Sequence, residues 1–315
     1  MLVVLALIPV IALLVFIYLK DKNEKEPIGL LIGLFFAGMG TTIPASIAEV
    51  IIQSILERIF YSPVLLYIVF AIFFVGPIEE IGKYAVLKLI TWNNKKFNYS
   101  YDAIVYSVFA SLGFAAFENV GYSISNGLGT AILRMFTAVP GHACFAVFMG
   151  YFYSRAKYAK ITGNKKAYTK NTVLSLIVPM LVHGFYDAIV LGAREGYEDA
   201  PVISGLAALL WIGYVIAMIT VCFIIVIKSS KNDFCILTLP DNEQTIYKPQ
   251  IIGGWTCSCG KTNNFNFCSQ CGKPRPMDTK WTCPKCGTLS TFNFCGNCGC
   301  PRPAPVNQTP VQTPV

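Results

Sequence analysis

Two adjacent carboxylates, Glu79 and Glu80, lie at the end of a long apolar stretch of the chain. Residues 65–75 before them carry no charged side chain, and Lys83 follows the pair. On a helix, Lys83 would share one face with both carboxylates, because residues three and four positions apart are neighbours. A charge at the centre of a membrane costs from about 2.5 to about 17 kcal/mol, so such groups are usually functional. The three residues therefore indicate either acid–base chemistry or a structural ion pair between two helices.

Three further apolar stretches carry ionisable groups at a similar depth. The chain contains two histidines, His142 and His183, and both lie in these stretches. At a rise of about 1.5 Å per residue, the groups lie between mid-membrane and the outer half of the membrane. Matched depths on consecutive helices favour one shared site. The polar residues concerned are Glu118, Asn119 and Tyr122, then Arg134 and His142, then His183 and Asp187, whose spacing places them on one helix face.

The composition excludes an ordinary soluble protein. Of 315 residues, 54% are hydrophobic and only 13% are charged, which is typical of a polytopic membrane protein. We predict an all-α polytopic membrane protein with about seven transmembrane helices, each long enough to cross roughly 30 Å of hydrocarbon. The predicted spans are 2–19, 28–53, 64–90, 102–122, 130–153, 172–192 and 202–227.

Lysine and arginine residues are concentrated in alternate loops of this membrane domain. Loops 20–27, 91–101 and 154–171 each contain two or more of them, whereas the intervening loops contain at most one. Because positively charged loops tend to stay in the cytosol, the N-terminus is expected outside and the C-terminus in the cytosol. The chain is therefore expected to be a multi-pass protein of the cell membrane, in contact with the lipid bilayer.

Four motifs lie in these stretches: Glu79-Glu80-x-x-Lys83, Phe114-x-x-x-Glu118-Asn119-x-x-Tyr122, Pro140-x-His142 and His183-x-x-x-Asp187. Taken in order, they resemble those of the PrsW family of intramembrane proteases. That family belongs to a wider group that includes the CAAX-prenyl proteases and bacteriocin-processing enzymes. The resemblance covers residues 1–228, including the loop 21–27, and implies cleavage of membrane-embedded or membrane-proximal proteins. In some relatives the substrate is an anti-sigma factor.

Peptide hydrolysis needs an activated water, a stabilised oxyanion and a proton for the leaving amine. Carboxylate and imidazole groups can supply all three. The expected roles are water activation by Glu79 or Glu80, positioning of water and substrate by Glu118 and His142, oxyanion stabilisation or proton donation by His183 oriented by Asp187, and support by Lys83, Asn119, Tyr122 and Arg134.

Two mechanisms and two other functions remain open from the sequence. In the preferred mechanism, glutamate and histidine activate water without metal; in the other, His142, His183 and a carboxylate hold a catalytic zinc. The chain contains no His-Glu-x-x-His motif. A proton-coupled transporter or channel would also place acids and histidines in the membrane, although no internal repeat is visible. The remaining alternative is an inactive scaffold that binds membrane proteins.

The C-terminal tail contains two cysteine-rich repeats. We predict a linker at 229–254, zinc ribbons at 255–276 and 281–303, and a disordered tail at 304–315. In each repeat two close cysteine pairs are spaced as in a small zinc ribbon. Disulfides are the alternative, which a cytosolic location disfavours. The predicted ligands are Cys257, Cys259, Cys268 and Cys271 in the first repeat, and Cys283, Cys286, Cys295 and Cys298 in the second.

Each repeat is too small to fold on apolar burial alone, so two structural zinc ions are expected in the tail. Cys300 is left over, and Cys144, Cys222 and Cys235 are expected to be structural. The repeats also resemble Ran-binding-protein-type fingers, which bind proteins or RNA. We expect the two repeats to bind a cytosolic protein partner and not nucleic acid.

Overall fold

The computed structural model of the chain describes residues 1–195 and 201–236, and, in the C-terminal region, 255–256, 258–259, 262–263, 281–290, 295 and 297–302. The chain divides into two units, Met1–Ile236 and Leu237–Val315. In the first unit a π-helical turn, Ala71–Val75, joins the third helix to the fourth. The helices described are α1 (Leu2–Lys20), α2 (Ile28–Leu56), α3 (Pro63–Phe70), α4 (Gly76–Thr91), α5 (Asp102–Phe136), α6 (Ala138–Ile161), α7 (Lys165–Glu195) and α8 (Pro201–Lys231).

The helical membrane architecture predicted from the sequence is confirmed. Within the described residues, 6 stretches are long and apolar enough to cross a membrane, and the 60-residue stretch Asp102–Ile161 contains both α5 and α6. The predicted span 130–153 is not one helix, because α5 continues to Phe136 and the backbone leaves the helical conformation at Thr137. The orientation of the helices across the membrane stays a prediction.

A reversal at Gly127 brings the end of α5 back towards its middle. Gly127 has φ 81° and ψ −167°, a conformation open essentially to glycine alone. In a straight helix Arg134 would lie about 22 Å from Asn119. Instead, Arg134 Nε donates to Asn119 Oδ1 at 3.0 Å. The non-helical backbone at Gly127 therefore places the cationic side chain of Arg134 beside Asn119.

Substitution of Gly127 tests this reversal. We expect Gly127→Ala to cost on the order of 1–3 kcal/mol in stability, since alanine is strained at this backbone conformation. The matched control is Gly129→Ala, because a β-carbon at either glycine meets open space and only Gly127 has a positive φ. Thermal unfolding of the purified proteins should therefore show a lower midpoint for Gly127→Ala alone. Equal midpoints for the two variants would contradict the proposed strain.

Helix α5 forms the centre of the first unit. It packs against α1, α2, α4 and α6, and residues 102–116 are buried apart from half-buried Phe109. The chain just after α8 also belongs to this unit, because Ile236 N–H donates to the Asn98 carbonyl at 2.8 Å. The first unit therefore extends past residue 228, where the sequence analysis placed its end.

The described strands of the second unit form two short antiparallel hairpins. Strand β1 (Trp255–Thr256) pairs with β2 (Thr262–Asn263), and β3 (Trp281–Thr282) pairs with β4 (Leu289–Ser290). A tryptophan opens each hairpin, which agrees with the internal repeat in the sequence. Of the ligands predicted for the first repeat, Cys257, Cys268 and Cys271 lie outside the described residues.

Candidate active site

The π-helical turn before α4 sets the position of the two glutamates. Pro77 has no N–H and cannot donate to the carbonyl of residue 73, so the regular α-helical pattern is interrupted just before it. Gly76 N–H donates instead to the carbonyl of Ala71, five residues earlier. Such turns are frequent at functional sites. Here the turn precedes Glu79 and Glu80, which lie in the first turns of α4.

Backbone contact between this turn and α7 holds the site together. A β-carbon on Gly76 would lie 2.6 Å from the Met180 carbonyl oxygen, and one on Gly184 would lie 2.8 Å from Ile72 Cα. Neither position has room for a side chain. The close approach places His183, the residue before Gly184, directly against the glutamates of α4.

Lys83 lies at the centre of the charged cluster. Its Nζ donates to Glu79 Oε2 at 3.0 Å and to Glu80 Oε1 at 2.7 Å. It also lies 3.1 Å from His142 Nδ1. The Lys83 side chain is only 1% exposed, so one buried ammonium group balances two buried carboxylates and orients an imidazole.

His183 is surrounded by carboxylates. Its Nδ1 lies 3.0 Å from Glu80 Oε1, and its Nε2 lies 3.1 Å from Asp187 Oδ2 and 3.8 Å from Glu79 Oε2. Because both ring nitrogens face carboxylate oxygens, both act as donors, which is the hydrogen-bonding pattern of an imidazolium. Phe145 stacks on the ring, with centroids 4.4 Å apart, and fixes its plane.

His142 connects this cluster to Glu118. Because an ammonium group can only donate, His142 Nδ1 accepts from Lys83, and Nε2 carries the proton. That proton points at Glu118 Oε2, 2.8 Å away. Arg134 Nη2 contacts the same oxygen at 2.9 Å, and Tyr122 lies under the guanidinium at 4.2 Å. Glu118 is thus held between a histidine and an arginine.

The structure brings the predicted catalytic and supporting residues of the membrane domain into one connected network on α4, α5, α6 and α7. Ligand atoms of four of them, Glu79, Glu80, His142 and His183, all lie within 4.8 Å of one another. Glu118 joins through His142, and Asp187 joins through His183. These contacts group the residues of the four motifs, whereas their depth in the membrane and their catalytic roles remain proposals.

Sequence reasoning missed Glu49 on α2. Its Oε1 is buried and accepts no hydrogen bond, and the charges of Glu79, Glu118, His183 and Asp187 all act on it. The available signal was its isolation, because Glu49 is the sole charged residue of Ile28–Leu56. It belongs to none of the four motifs quoted from the sequence.

The four clustered side chains have the donor types that zinc binds and lie close enough to share one ion, although each histidine nitrogen already has a hydrogen-bond partner. A zinc ligand must offer a lone pair, and histidine binds zinc in its neutral form. The Nδ1 lone pair of His142 accepts from Lys83, and its Nε2 is protonated. Both nitrogens of His183 donate to carboxylates. Lys83 already occupies the place where a cation would balance the glutamates.

Four cysteines of the second tail repeat form a different cluster. The Sγ atoms of Cys283 and Cys298 lie 3.5 Å apart, and those of Cys286 and Cys295 lie 3.4 Å apart. A tetrahedral zinc with Zn–S bonds of about 2.3 Å separates its sulfurs by about 3.8 Å. Hydrogen bonding to Thr288 lowers the pKa of Cys286 to about 6, which favours the thiolate that zinc binds. This cluster can therefore hold a zinc ion.

Substitution of Gly184 tests the contact that assembles the active site. Gly184→Ala should force α7 away from the π-helical turn, since the new methyl group would lie 3.0 Å or less from backbone atoms of Ala71 and Ile72. A displacement near 1 Å can lower a rate by about a hundredfold, so cleavage should fall far more than protein abundance. Gly213→Ala on α8 is the control, because its β-carbon meets open space. Equal activity in both variants would show that the close approach is not needed.

Comparison with known proteins identifies relatives of the membrane domain. Residues 26–227 match the family described as PrsW family intramembrane metalloprotease. The chain is 36% identical to Protease PrsW of Oceanobacillus iheyensis over 204 residues, which are 65% of this chain and 88% of that protein. It is 35% identical to Protease PrsW of Bacillus subtilis over 182 residues, or 58% of this chain and 79% of that protein. No solved structure matches the chain.

The match covers α2 to α7, α8 as far as residue 227, and every residue of the buried network. The predicted peptidase activity and membrane location are thereby confirmed, and neither a transporter nor an inactive scaffold is favoured. The chain belongs to the PrsW family of intramembrane proteases, which makes it a multi-pass membrane endopeptidase.

Proposed function

We propose that this endopeptidase hydrolyses its substrates with a water activated by Glu79. The observation that carries the assignment is the difference in access between the two glutamates. Glu80 is completely buried, and its Oε1 is held by both Lys83 and His183. Glu79 retains 5% exposure of its side chain and bonds Lys83 through Oε2. Glu79 can therefore meet a water, while Glu80 orients the lysine and the histidine.

The other members of the network support the remaining steps. After the water attacks, His183 faces the developing negative charge as a donor, and it can pass a proton to the leaving amine. Asp187 and Glu80 keep the ring oriented for this exchange. Glu118, fixed by Arg134, holds His142 in the tautomer that accepts from Lys83. No step in this scheme passes through a metal ion.

The substrates are proposed to be membrane-embedded or membrane-proximal proteins, including proteins of the anti-sigma-factor type. The buried position of the network supports this choice, since a peptide must reach it from within the bilayer or from its edge. With the N-terminus outside, the tail would lie in the cytosol. Its two ribbons would then bind a cytosolic protein partner there. Comparative profiling of cleavage products from cells that express wild type or Glu79→Gln tests the activity.

Zinc analysis separates the structural metal from the catalytic mechanism. The purified full-length chain should contain two zinc ions, one for each cysteine repeat. Replacing all eight predicted ligand cysteines with serine should remove both ions and leave substrate cleavage in place. Elemental mass spectrometry measures the metal. One zinc that persists in this variant, and disappears on His183→Ala, would establish a catalytic metal and overturn the scheme.

A further inference from the structure

We propose that Asp21, Glu26 and Asp102 form a binding site for one divalent cation that prefers oxygen ligands, such as Ca²⁺, Mn²⁺ or Mg²⁺. One carboxylate oxygen from each residue lies within 4.8 Å of the others. Two oxygens on opposite sides of a calcium ion, each at about 2.4 Å, are about 4.8 Å apart. The three oxygens can therefore belong to one coordination sphere.

The site lies where three elements meet. Asp21 follows the end of α1, Glu26 lies in the loop before α2, and Asp102 opens α5. Their exposed fractions are 1%, 2% and 0%. Along α5, Asp102 lies about 24 Å from Glu118 at the usual helical rise, so the site is separate from the active site.

Each carboxylate is left with acceptor capacity. Both carboxylate oxygens of Asp21, Oε1 of Glu26 and Oδ1 of Asp102 accept no hydrogen bond of ordinary geometry. The second oxygens of the latter two are anchored. Tyr106 donates to Glu26 Oε2, and the backbone N–H groups of Asn98 and Tyr99 donate to Asp102 Oδ2 at 3.0 Å and 2.7 Å. The anchored carboxylates thus keep one oxygen each for a ligand.

The hydroxyl of Tyr101 is a fourth buried polar group with unused hydrogen-bonding capacity. It is buried, with 0% exposure of the residue, and has no hydrogen-bond partner. It lies close enough to Asp21 for the carboxylate charge to act on it. A cation, or a water bound to it, would give this hydroxyl a partner. Buried polar atoms without partners are rare, and several at one place indicate an absent ion or water.

The neighbouring charged groups have other hydrogen-bond partners. The amine of Lys25 donates to the backbone carbonyls of Tyr18 and Asp21, so it caps α1. Glu24 pairs with Lys96 at 3.1 Å. Asp233 accepts from Ser100 Oγ, Tyr101 N–H and Asn23 Nδ2 at 2.8–2.9 Å.

Burying three carboxylates beside one another costs free energy unless a cation accompanies them. A bound divalent ion would relieve this cost and tie the first loop to α5. Since α5 carries Glu118, occupancy of the site should stabilise the helix that supports the active site.

The experiment uses the purified full-length protein, stripped with a chelator and kept at constant pH. Addition of Ca²⁺, Mn²⁺ or Mg²⁺ should raise the thermal midpoint, and calorimetry should show one site. Terbium provides a second readout, because Tyr101 and Tyr106 can sensitise its luminescence and Ca²⁺ should then displace it. Asp102→Asn and Asp21→Asn should each weaken binding by at least about tenfold, since affinity depends on the number of charged ligands.

The controls keep the proposal falsifiable. Glu57→Gln, at the opposite end of α2 from Glu26, should bind like wild type because Glu57 is exposed and its side chain bonds Gln53. If Asp102→Asn fails to fold, Asp21→Asn decides, because its carboxylate makes no ordinary hydrogen bond. Absence of binding with all three ions would overturn the proposal. So would binding that Asp21→Asn leaves unchanged. Stabilisation by acid alone, without any response to ions, would show that Glu26 and Asp102 share a proton instead.

Discussion

Glu79→Gln is expected to abolish substrate cleavage while the protein remains folded. A general base contributes about 10²- to 10⁴-fold to a rate, and glutamine cannot accept the proton of a water. The substitution keeps the shape of the side chain and leaves an oxygen that can accept from Lys83. Cleavage should therefore fall by this factor, with little change in thermal stability.

Mass spectrometry of protein N-termini provides the measurement. Membranes from cells that express wild type or Glu79→Gln are compared, and peptides missing in the variant identify the substrates. Glu57→Gln is the matched control, since Glu57 is exposed at the end of α2 and, in the described contacts, its side chain bonds only to Gln53. Wild-type products in Glu79→Gln, together with their loss in Glu80→Gln, would assign the base to Glu80.

Lys83→Met is expected to have the largest effect on stability. Removing one partner from a buried ion pair typically costs about 3–5 kcal/mol, because the other charge remains without compensation. Here two buried carboxylates lose their shared partner, at 3.0 Å and 2.7 Å, and His142 loses its donor. Methionine fills much of the volume of the lysine stem, so the charge is the main change.

A compensated variant separates charge from packing. Lys83→Met combined with Glu79→Gln and Glu80→Gln carries no uncompensated charge at these three positions. Its thermal midpoint should recover most of the loss, although it should be inactive. Lys88→Met, on the exposed face of the same helix, is the control. If Lys83→Met and Lys88→Met unfold at the same temperature, the ammonium does not balance the carboxylates.

The amino-acid sequence by itself determined the helices and the membership of the site. Long apolar stretches can satisfy their backbone groups in a membrane only as helices or closed barrels, so composition and length predicted the architecture. Charges in such stretches are costly and usually functional, so the sequence indicated Glu79, Glu118, His142 and His183 as candidate site residues. Their order along the chain then resembled a known family, and the comparisons confirmed that family.

The tertiary structure alone decided how these residues act on one another. Motif spacing shows which side chains share a helix face, but contacts between helices depend on how the helices pack. Thus the position of Lys83 against His142, and the carboxylates on both sides of His183, could not be read from spacing.

The same limit explains the residues and bends that the sequence analysis missed. Gly127 resembles any other glycine until its φ of 81° reverses α5 and returns Arg134 to Glu118. Glu49 lies in no recognised motif and joins the site only because α2 packs beside α4. Likewise, Asp21 and Asp102 lie far apart in the chain and meet only because α1 packs against α5. Each of these relations depends on long-range packing, which local periodicity does not encode.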